Sequence, residues 1–241
     1  MKALFLSDAH LWSPEDQGYQ YLLRFLDSEK ETISHLFIAG DFFDFWFCDS
    51  KHIFPGFVQM IDKLLELKKS GVAIYLFEGN HDFFLERFFG RYGITVFPDE
   101  GLIDLDGKRL FVAHGDLVDT SNTMYLFLRK FLRSTFFYTF KKLVPYRILW
   151  AIARISSKTS KGHMAKPTQR LANRMNTFAR KKLREGFDAV IMGHCHRPMV
   201  REYTIDNEIK SCVLLGDWIS YYSYLVYHNG RFRLLYYNGE S

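Results

Sequence analysis

Five times along this chain a short apolar run ends abruptly in a polar cluster, and that punctuation limits the fold more than any other feature. Lys2–Leu6 is followed by Ser7-Asp8-Ala9-His10, Leu36–Ala39 by Gly40-Asp41-Phe42-Phe43-Asp44, and Ala73–Phe77 by Glu78-Gly79-Asn80-His81-Asp82. Arg109–Ala113 leads into His114-Gly115-Asp116, and Ala189–Met192 into Gly193-His194-Cys195-His196. Unbroken apolar runs of this length suit strands buried on both faces. Between the first runs, Tyr19–Lys30 and Phe57–Lys69 carry Leu and Phe at helical spacing, with Gly71 as a stop for the second. Strand–helix alternation predicts an α/β architecture with its chemistry at the carboxyl ends of the strands. Asp106-Gly107 and Asn229-Gly230 lie between strand-like runs and predict two hairpins, so the sheets are expected to be mixed.

Charge divides the chain. Thr120–Arg184 holds sixteen of the 32 Lys and Arg and no Asp or Glu, leaving sixteen bases against 27 acids elsewhere. The net +5 therefore averages a basic segment and an acidic body, which predicts different partners for the two. Within the segment, Tyr125–Phe140 and Arg147–Ile155 read as helices, with Pro145 and Pro167 as breaks. We expect one domain over residues 1–241 with residues 120–184 as a basic helical insert inside it. An aromatic content of 17% excludes a disordered chain. Three scattered cysteines and the lack of a visible leader predict a reducing, cytoplasmic setting, and no apolar run is long enough to span a membrane.

Five of the nine histidines fall in the polar clusters, beside Asp8, Asp41, Asp44, Asn80, Asp82 and Asp116. Imidazole mixed with carboxylate suits a borderline transition metal, whereas Ca²⁺ and Mg²⁺ prefer all-oxygen sets. Asp8/His10 and His194/His196 are each one residue apart, so in an extended segment both side chains of a pair share a face. Asp-x-His, Gly-Asp and Gly-Asn-His-Asp alone are more often turns, Gly-His-x-His alone stands evenly between turn and metal site, and Asp44 or Asp82 alone reads equally as a helix cap. Their joint recurrence after five buried strands is what coincidence explains badly.

The order D-x-H, G-D-x-x-D, G-N-H-D, H-G-D, G-H-x-H resembles the calcineurin-like metallophosphoesterase superfamily, from Asp8 to His196. The resemblance implies a double β-sandwich flanked by helices and holding two divalent ions. It assigns Asp8, His10 and His196 to one ion, Asn80, His114 and His194 to the other, and Asp41 to both. It makes His81 the residue beside the substrate phosphate, stabilising charge or protonating the leaving oxygen, with Asp44 and Asp82 orienting ligand imidazoles.

Within the superfamily the chain is similar to the UDP-2,3-diacylglucosamine pyrophosphohydrolases of lipid A synthesis. The likeness rests on Leu4–Leu11, Gly40–Trp46, Asn80 with Asp82-Phe83, Ala113–Asp116, Gly193–Pro198 and Leu215–Trp218, beside a basic insert of similar length. It implies Mn²⁺-dependent pyrophosphate hydrolysis releasing UMP and 2,3-diacylglucosamine 1-phosphate, by a peripheral enzyme on the cytoplasmic face of the inner membrane. Substrate contacts would come from Asn80, His81, Asn122, Thr159, His163, Lys166 and His194; members of that family carry Arg at the His81 position and an acid at that of Asn122. Phe127, Phe131, Phe136, Phe137 and Trp150 are expected to line an acyl slot, or else to pack the insert onto the body. Arg129, Lys130, Arg133, Lys141, Lys142 and Arg147 are expected to meet phosphate or anionic headgroups. Two alternatives stand beside this reading: a phosphodiesterase or phosphatase with another nucleotide or glycolipid substrate, and a non-catalytic metal-binding module. Aromatics interleaved with bases also suit single-stranded nucleic acid, but their bunching in the insert's first half favours lipid.

Overall fold

A computed structural model describes residues 1–49, 51–162 and 169–239. In chain order the elements are β1 (Lys2–Leu6), α1 (Gln17–Glu29), β2 (His35–Ala39), α2 (Val58–Lys69), β3 (Ala73–Phe77), α3 (Glu86–Phe89), β4 (Thr95–Phe97), β5 (Glu100–Leu105) and β6 (Lys108–Ala113). Four helices follow, α4 (Thr123–Leu132), α5 (Thr135–Lys141), α6 (Tyr146–Gly162) and α7 (Gln169–Arg184), and then β7 (Ala189–Met192), β8 (Met199–Ile205), β9 (Glu208–Leu214), β10 (Ser223–His228) and β11 (Arg231–Tyr236).

The strands form two mixed sheets, ordered β11-β10-β1-β2-β3-β4 and β5-β6-β7-β9-β8. Pairing among β1–β4 and among β6, β7 and β9 is parallel, with antiparallel strands toward the edges. The two-residue side-chain period sorts each buried strand between two cores. Ala3, Phe5, Phe37 and Phe77 of the first sheet meet Leu110, Val112, Ile191 and Val213 of the second inside the sandwich. Leu4, Leu6, Leu36 and Ile38 face the other way, onto the buried stripes of α1 and α2. Phe5, Phe37 and Tyr75 stand in register on β1, β2 and β3, and their rings stack at 4.4 and 4.6 Å. Both predicted hairpins form; Asp106-Gly107 and Asn229-Gly230 each place two consecutive residues at positive φ, the geometry a tight two-residue turn demands.

The basic segment departs from its sequence reading in two ways. The stretch expected as one helix over Tyr125–Phe140 is two, because Ser134 accepts a hydrogen bond from the Phe137 N–H and starts α5 afresh. The last third of the segment packs with the body: Ala172, Met175, Ala179 and Leu183 of α7 cover the outer face of β6, β7 and β9. This apolar stripe was hidden by the surrounding bases and polar side chains of Gln169–Arg184.

Candidate metal centre

All five polar clusters sit at the carboxyl ends of parallel strands and converge at one end of the sandwich. Potential ligand atoms of Asp8, His10 and His196 lie within 4.8 Å of one another, as do those of Asp8, Asp41 and His114, and those of His10, Asp44 and His81. Asn80 and His194 join through His114, whose Nε2 lies 3.0 Å from Asn80 Oδ1, 3.2 Å from His194 Nδ1 and 3.4 Å from Asp41 Oδ2.

The local backbone differs from the extended path expected for D-x-H and H-x-H. Asp8, His10, Asp41, His194 and His196 all have φ between 43° and 64°. Left-handed backbone at five non-glycine residues is strain concentrated at one site. Asp8 and His10 reach a common cluster through that turn, whereas His194 turns toward His114 and His196 toward Asp8. Close approach of the loops explains two glycines. A Cβ on Gly79 would lie 2.1 Å from Asp41 Oδ1, and one on Gly193 2.5 Å from Asp8 Oδ2.

Each of these aspartates gives one oxygen to a neighbouring loop. The His81 N–H donates to Asp41 Oδ1 and the His194 N–H to Asp8 Oδ2, both at 2.9 Å. The other oxygens point into the cluster, and among the described residues buried Asp8 Oδ1 and both ring nitrogens of His10 make no hydrogen bond. The His114 Nδ1–H donates to the Ala39 carbonyl at 3.0 Å, which aims its Nε2 at the acceptors of Asn80 and Asp41. Burial would lower the His114 imidazole, but Asp41 overrides it and lifts the ring to about 10. Burial and the facing His114 depress His194 to about 4. Against its own burial, Asp41 is held well below the usual carboxylate range by His114, His81 and His10. Imidazoles and carboxylates crowded with lone pairs inward call for positive charge, and a divalent cation supplies it with the ligating imidazoles neutral. The residues present fit such an ion.

Around this cluster, Asp44 Oδ1 lies 3.5 Å from His10 Nδ1, as a carboxylate that orients an imidazole does. Asp82 does something other than orient an imidazole or cap a helix. Its oxygens accept from the N–H groups of Asp41, Phe42, Phe43 and Gly79, so it shapes the loop that carries Asp41. Burial and the Asp41 charge nevertheless push the Asp82 carboxyl up to about 7. Asp217, just beyond β9, lies in the Leu215–Trp218 stretch that carries the family likeness, but the sequence reading gave it no role in the site. Its Oδ2 lies 3.4 Å from His196 Nδ1, while Oδ1 accepts three backbone N–H groups of residues 219–221. A signal for that role was present, since Ser211–Leu215 also ends in Gly-Asp, but the stretch carries no histidine to mark it as part of a metal cluster.

A cavity of about 500 Å³ opens beside Asp44, Asn80 and His81 and runs under α4, α5 and α6. Of the five aromatics expected to line it, Phe137 does; Leu128, Leu132, Phe140, Val144, Leu149 and Ile152 supply most of the rest from the insert. Phe127 and Phe131 lie on the other side of α4, Phe136 is exposed, and Trp150 packs edge-on to Phe54 at the rim of the core. Asn122 caps α4, accepting from the Tyr125 N–H, and is not part of the cavity wall. Arg129 and Arg133 are taken by the body instead of lying free for a headgroup: Arg129 bonds Asp116 at 2.7 Å and Asp99 at 2.6 Å, and Arg133 bonds Glu78 at 3.0 Å and the Gly79 carbonyl at 2.7 Å. The Thr159 side chain, and His163 and Lys166 entirely, lie outside the described residues.

Residues 1–198 match the calcineurin-like phosphoesterase family. A protein of Aeromonas salmonicida named UDP-2,3-diacylglucosamine hydrolase is 33% identical over 236 residues, spanning 97% of this chain and 92% of its own. Proteins of the same name from Vibrio cholerae and Pseudomonas aeruginosa are each 31% identical, over 94% and 90% of this chain and 95% and 91% of their own. Among solved structures, one described as a novel archaeal phosphodiesterase superposes with a TM-score of 0.50 over 98% of this chain and 99% of that one, at 13% identity, which speaks to the fold.

Proposed function

This chain belongs to the calcineurin-like phosphoesterase family, and we propose that it hydrolyses the pyrophosphate of UDP-2,3-diacylglucosamine, releasing UMP and 2,3-diacylglucosamine 1-phosphate. The observation that carries the substrate is the apolar cavity, which shares Asn80 and His81 with the polar cluster and so joins a phosphoryl site to a lipid site. The names borne by its relatives agree with that reading.

Asp8, His10 and His196 would hold one divalent ion, Asn80, His114 and His194 a second, and Asp41 both; Mn²⁺ suits the mixed imidazole and carboxylate donors. A bound pair of this kind supplies positive charge to the phosphoryl oxygens and acidifies water toward neutral pH. The chain's own residues do the rest. His81 donates its Nδ1–H to the Asp44 carbonyl at 3.0 Å, which fixes the ring and leaves Nε2 for the substrate. When the ring is protonated, Nε2–H stabilises a phosphoryl oxygen or protonates the leaving oxygen. The cavity's aliphatic wall seats acyl chains and keeps water off that side of the phosphate.

No helix among the described residues is long and apolar enough to cross a membrane. Membrane contact at the cytoplasmic face would come from the insert, α4–α6 acting as a lid. Met124, Phe127, Phe136 and Leu143 are each at least 70% exposed there, beside exposed Lys130, Lys142 and Arg147.

The deciding experiment is Mn²⁺-dependent hydrolysis of UDP-2,3-diacylglucosamine, with UMP as the diagnostic product and bis-p-nitrophenyl phosphate alongside. Asp41→Ala is expected to abolish both activities. Cleavage of the small diester alone would assign the chain to a phosphodiesterase of different substrate, and activity surviving in Asp41→Ala would refute the site.

A further inference from the structure

Three cations line the cavity beside the metal centre, and two of them, Arg129 and Arg133, are already bonded to carboxylates. The third, Lys141 at the end of α5, is not. It is 2% exposed, and among the described residues its Nζ has no hydrogen-bond partner. Aromatic rings pack around it, those of Tyr138, Phe84 and Phe47 lying 5.0, 5.7 and 5.9 Å from Nζ, with Cys48, Asp49, Arg87 and Lys142 near enough to act on its charge. Ring faces attract an ammonium but offer no acceptor for its N–H groups. A buried donor without an acceptor costs stability, and folded chains rarely keep one without a reason. Lys141 also lines the cavity, whose leucine, phenylalanine and valine walls are joined by Asp44, Asn80, His81, Tyr125 and the two paired arginines, so among the described residues it is the one cation there without an acceptor.

We propose that Lys141 is a specificity-determining residue that donates to an acceptor oxygen of the acylated sugar seated in this cavity. The proposal rests on the reading of the substrate as an acyl-sugar nucleotide and adds what selects it. Lysine has donors and no acceptor, so the group it meets must present oxygen, an acyl carbonyl or a sugar oxygen, beside chains that follow Leu149 and Ile152. A bare alkyl chain satisfies the walls and leaves the ammonium unpaired. The cavity therefore favours a lipid head that carries oxygen over any apolar tail of equal length.

The test compares the wild-type chain with Lys141→Met in two ways. In the Mn²⁺-loaded enzyme, kcat/KM for UDP-2,3-diacylglucosamine relative to bis-p-nitrophenyl phosphate is expected to fall by about tenfold to a hundredfold, mostly through KM, the scale of one hydrogen bond to a charged group. In thermal melts without ligand, Lys141→Met is expected to melt higher, because an unpaired buried charge has gone. Saturating 2,3-diacylglucosamine 1-phosphate is then expected to raise its Tm less than that of the wild type. An unchanged substrate ratio, or a lower Tm with the ligand-induced rise intact, would make Lys141 a structural cation held by its rings and overturn the proposal. If neither protein cleaves the nucleotide substrate while both cleave the diester, the substrate reading has failed. The ligand-free melts then still decide the lysine, a lower-melting variant counting against it.

Discussion

Asp44 and Asp217 stand in matching positions, each with a carboxylate oxygen 3.4–3.5 Å from the Nδ1 of an imidazole whose Nε2 faces a central aspartate. In this arrangement the outer carboxylate sets ring orientation and raises basicity, so the loss of either should weaken metal binding by about 10–100-fold. Asp217→Asn is the cleaner variant, because an amide oxygen can still accept from residues 219–221 and hold the loop. Isothermal titration with Mn²⁺ would read the change, and an unaltered Kd would reduce Asp217 to a turn residue. His81→Gln, by contrast, is expected to lower kcat by about 10²–10⁴-fold while metal content by elemental analysis stays at the wild-type value. Loss of metal in that variant would contradict its proposed role. Lys141 adds a pH signature. Burial pushes its ammonium down to about 8 from an ordinary 10.5, with Cys48 and Asp49 pulling upward and Arg87 and Lys142 adding to the fall. Between those values the unfolded chain keeps a proton that the folded chain has released, so this group makes stability rise with pH across the window. Below about 8 the whole cost of the buried charge is present. The stability gap between Lys141→Met and wild type should therefore narrow from pH 8 to 10.5 in urea melts, and a gap that stays flat would mean that the ammonium is not buried as described.

Among the elements, α4 is the one whose placement matters most to the site. It is fixed at its carboxyl end by Arg129 and Arg133, which reach Asp116, Asp99, Glu78 and the Gly79 carbonyl on the body. Gly79 precedes Asn80, so the insert grips the backbone that presents a proposed ligand. The Glu78 carboxyl is 5% exposed, and burial raises it despite the facing Arg133. Removing only the arginine strands a buried acid, whereas removing the charge of both partners does not. Arg133→Ala should cost about 3 kcal/mol, a fall of roughly 6–12 °C in Tm for a chain of this size. The double variant Arg133→Met/Glu78→Gln, which removes both charges while the amide oxygen still accepts from the Leu85 N–H, should recover most of that loss. A double variant as unstable as the single one would show that the pair is not what holds α4. Such pairs were out of reach of the sequence, because Arg133 and Glu78 are distant along the chain and only the folded insert joins them. The five strands that end in polar clusters and the two glycine hairpins were legible because their signals are local, namely unbroken apolar runs and paired turn residues. The helix break at Ser134 was local too, but was outweighed by continuous apolar spacing across it. The hairpin joining β8 and β9 has the same kind of signal in Asp206-Asn207, both at positive φ, yet without a glycine it does not stand out.

At the scale of the whole molecule, the charge asymmetry of the sequence divides into two physical roles. Part of it is internal: Arg129, Arg133 and Arg174 of the basic segment pair with Asp99, Asp116, Glu78 and Asp119 of the acidic body. An absence of acids in Thr120–Arg184 is thus partly accounted for by acids supplied elsewhere, which segment-by-segment counting cannot reveal. The same limit explains the site. Motif residues announced themselves by type and position, but which imidazole faces which carboxylate follows from left-handed turns at Asp8, His10, His194 and His196 that spacing alone did not disclose. The remaining charge lies outward. Lys130, Lys142 and Arg147 are exposed beside Phe127, Phe136 and Leu143, whose side chains are 70–79% exposed. A surface with this mixture should bind anionic bilayers by two separable terms. Neutralising the three bases with Gln removes about 1 kcal/mol each, so partitioning onto phosphatidylglycerol vesicles at low salt should fall on the order of a hundredfold. That difference should shrink as salt shortens the Debye length from about 30 Å at 0.01 M to about 8 Å at 0.15 M. Phe127→Glu should weaken binding at every salt concentration, because it removes buried apolar area and introduces a charge that lipid will not solvate. Vesicle sedimentation that is identical for all three proteins would leave the insert as a lid over the cavity alone, and the enzyme would then have to take its acylated substrate from micelles or from a carrier.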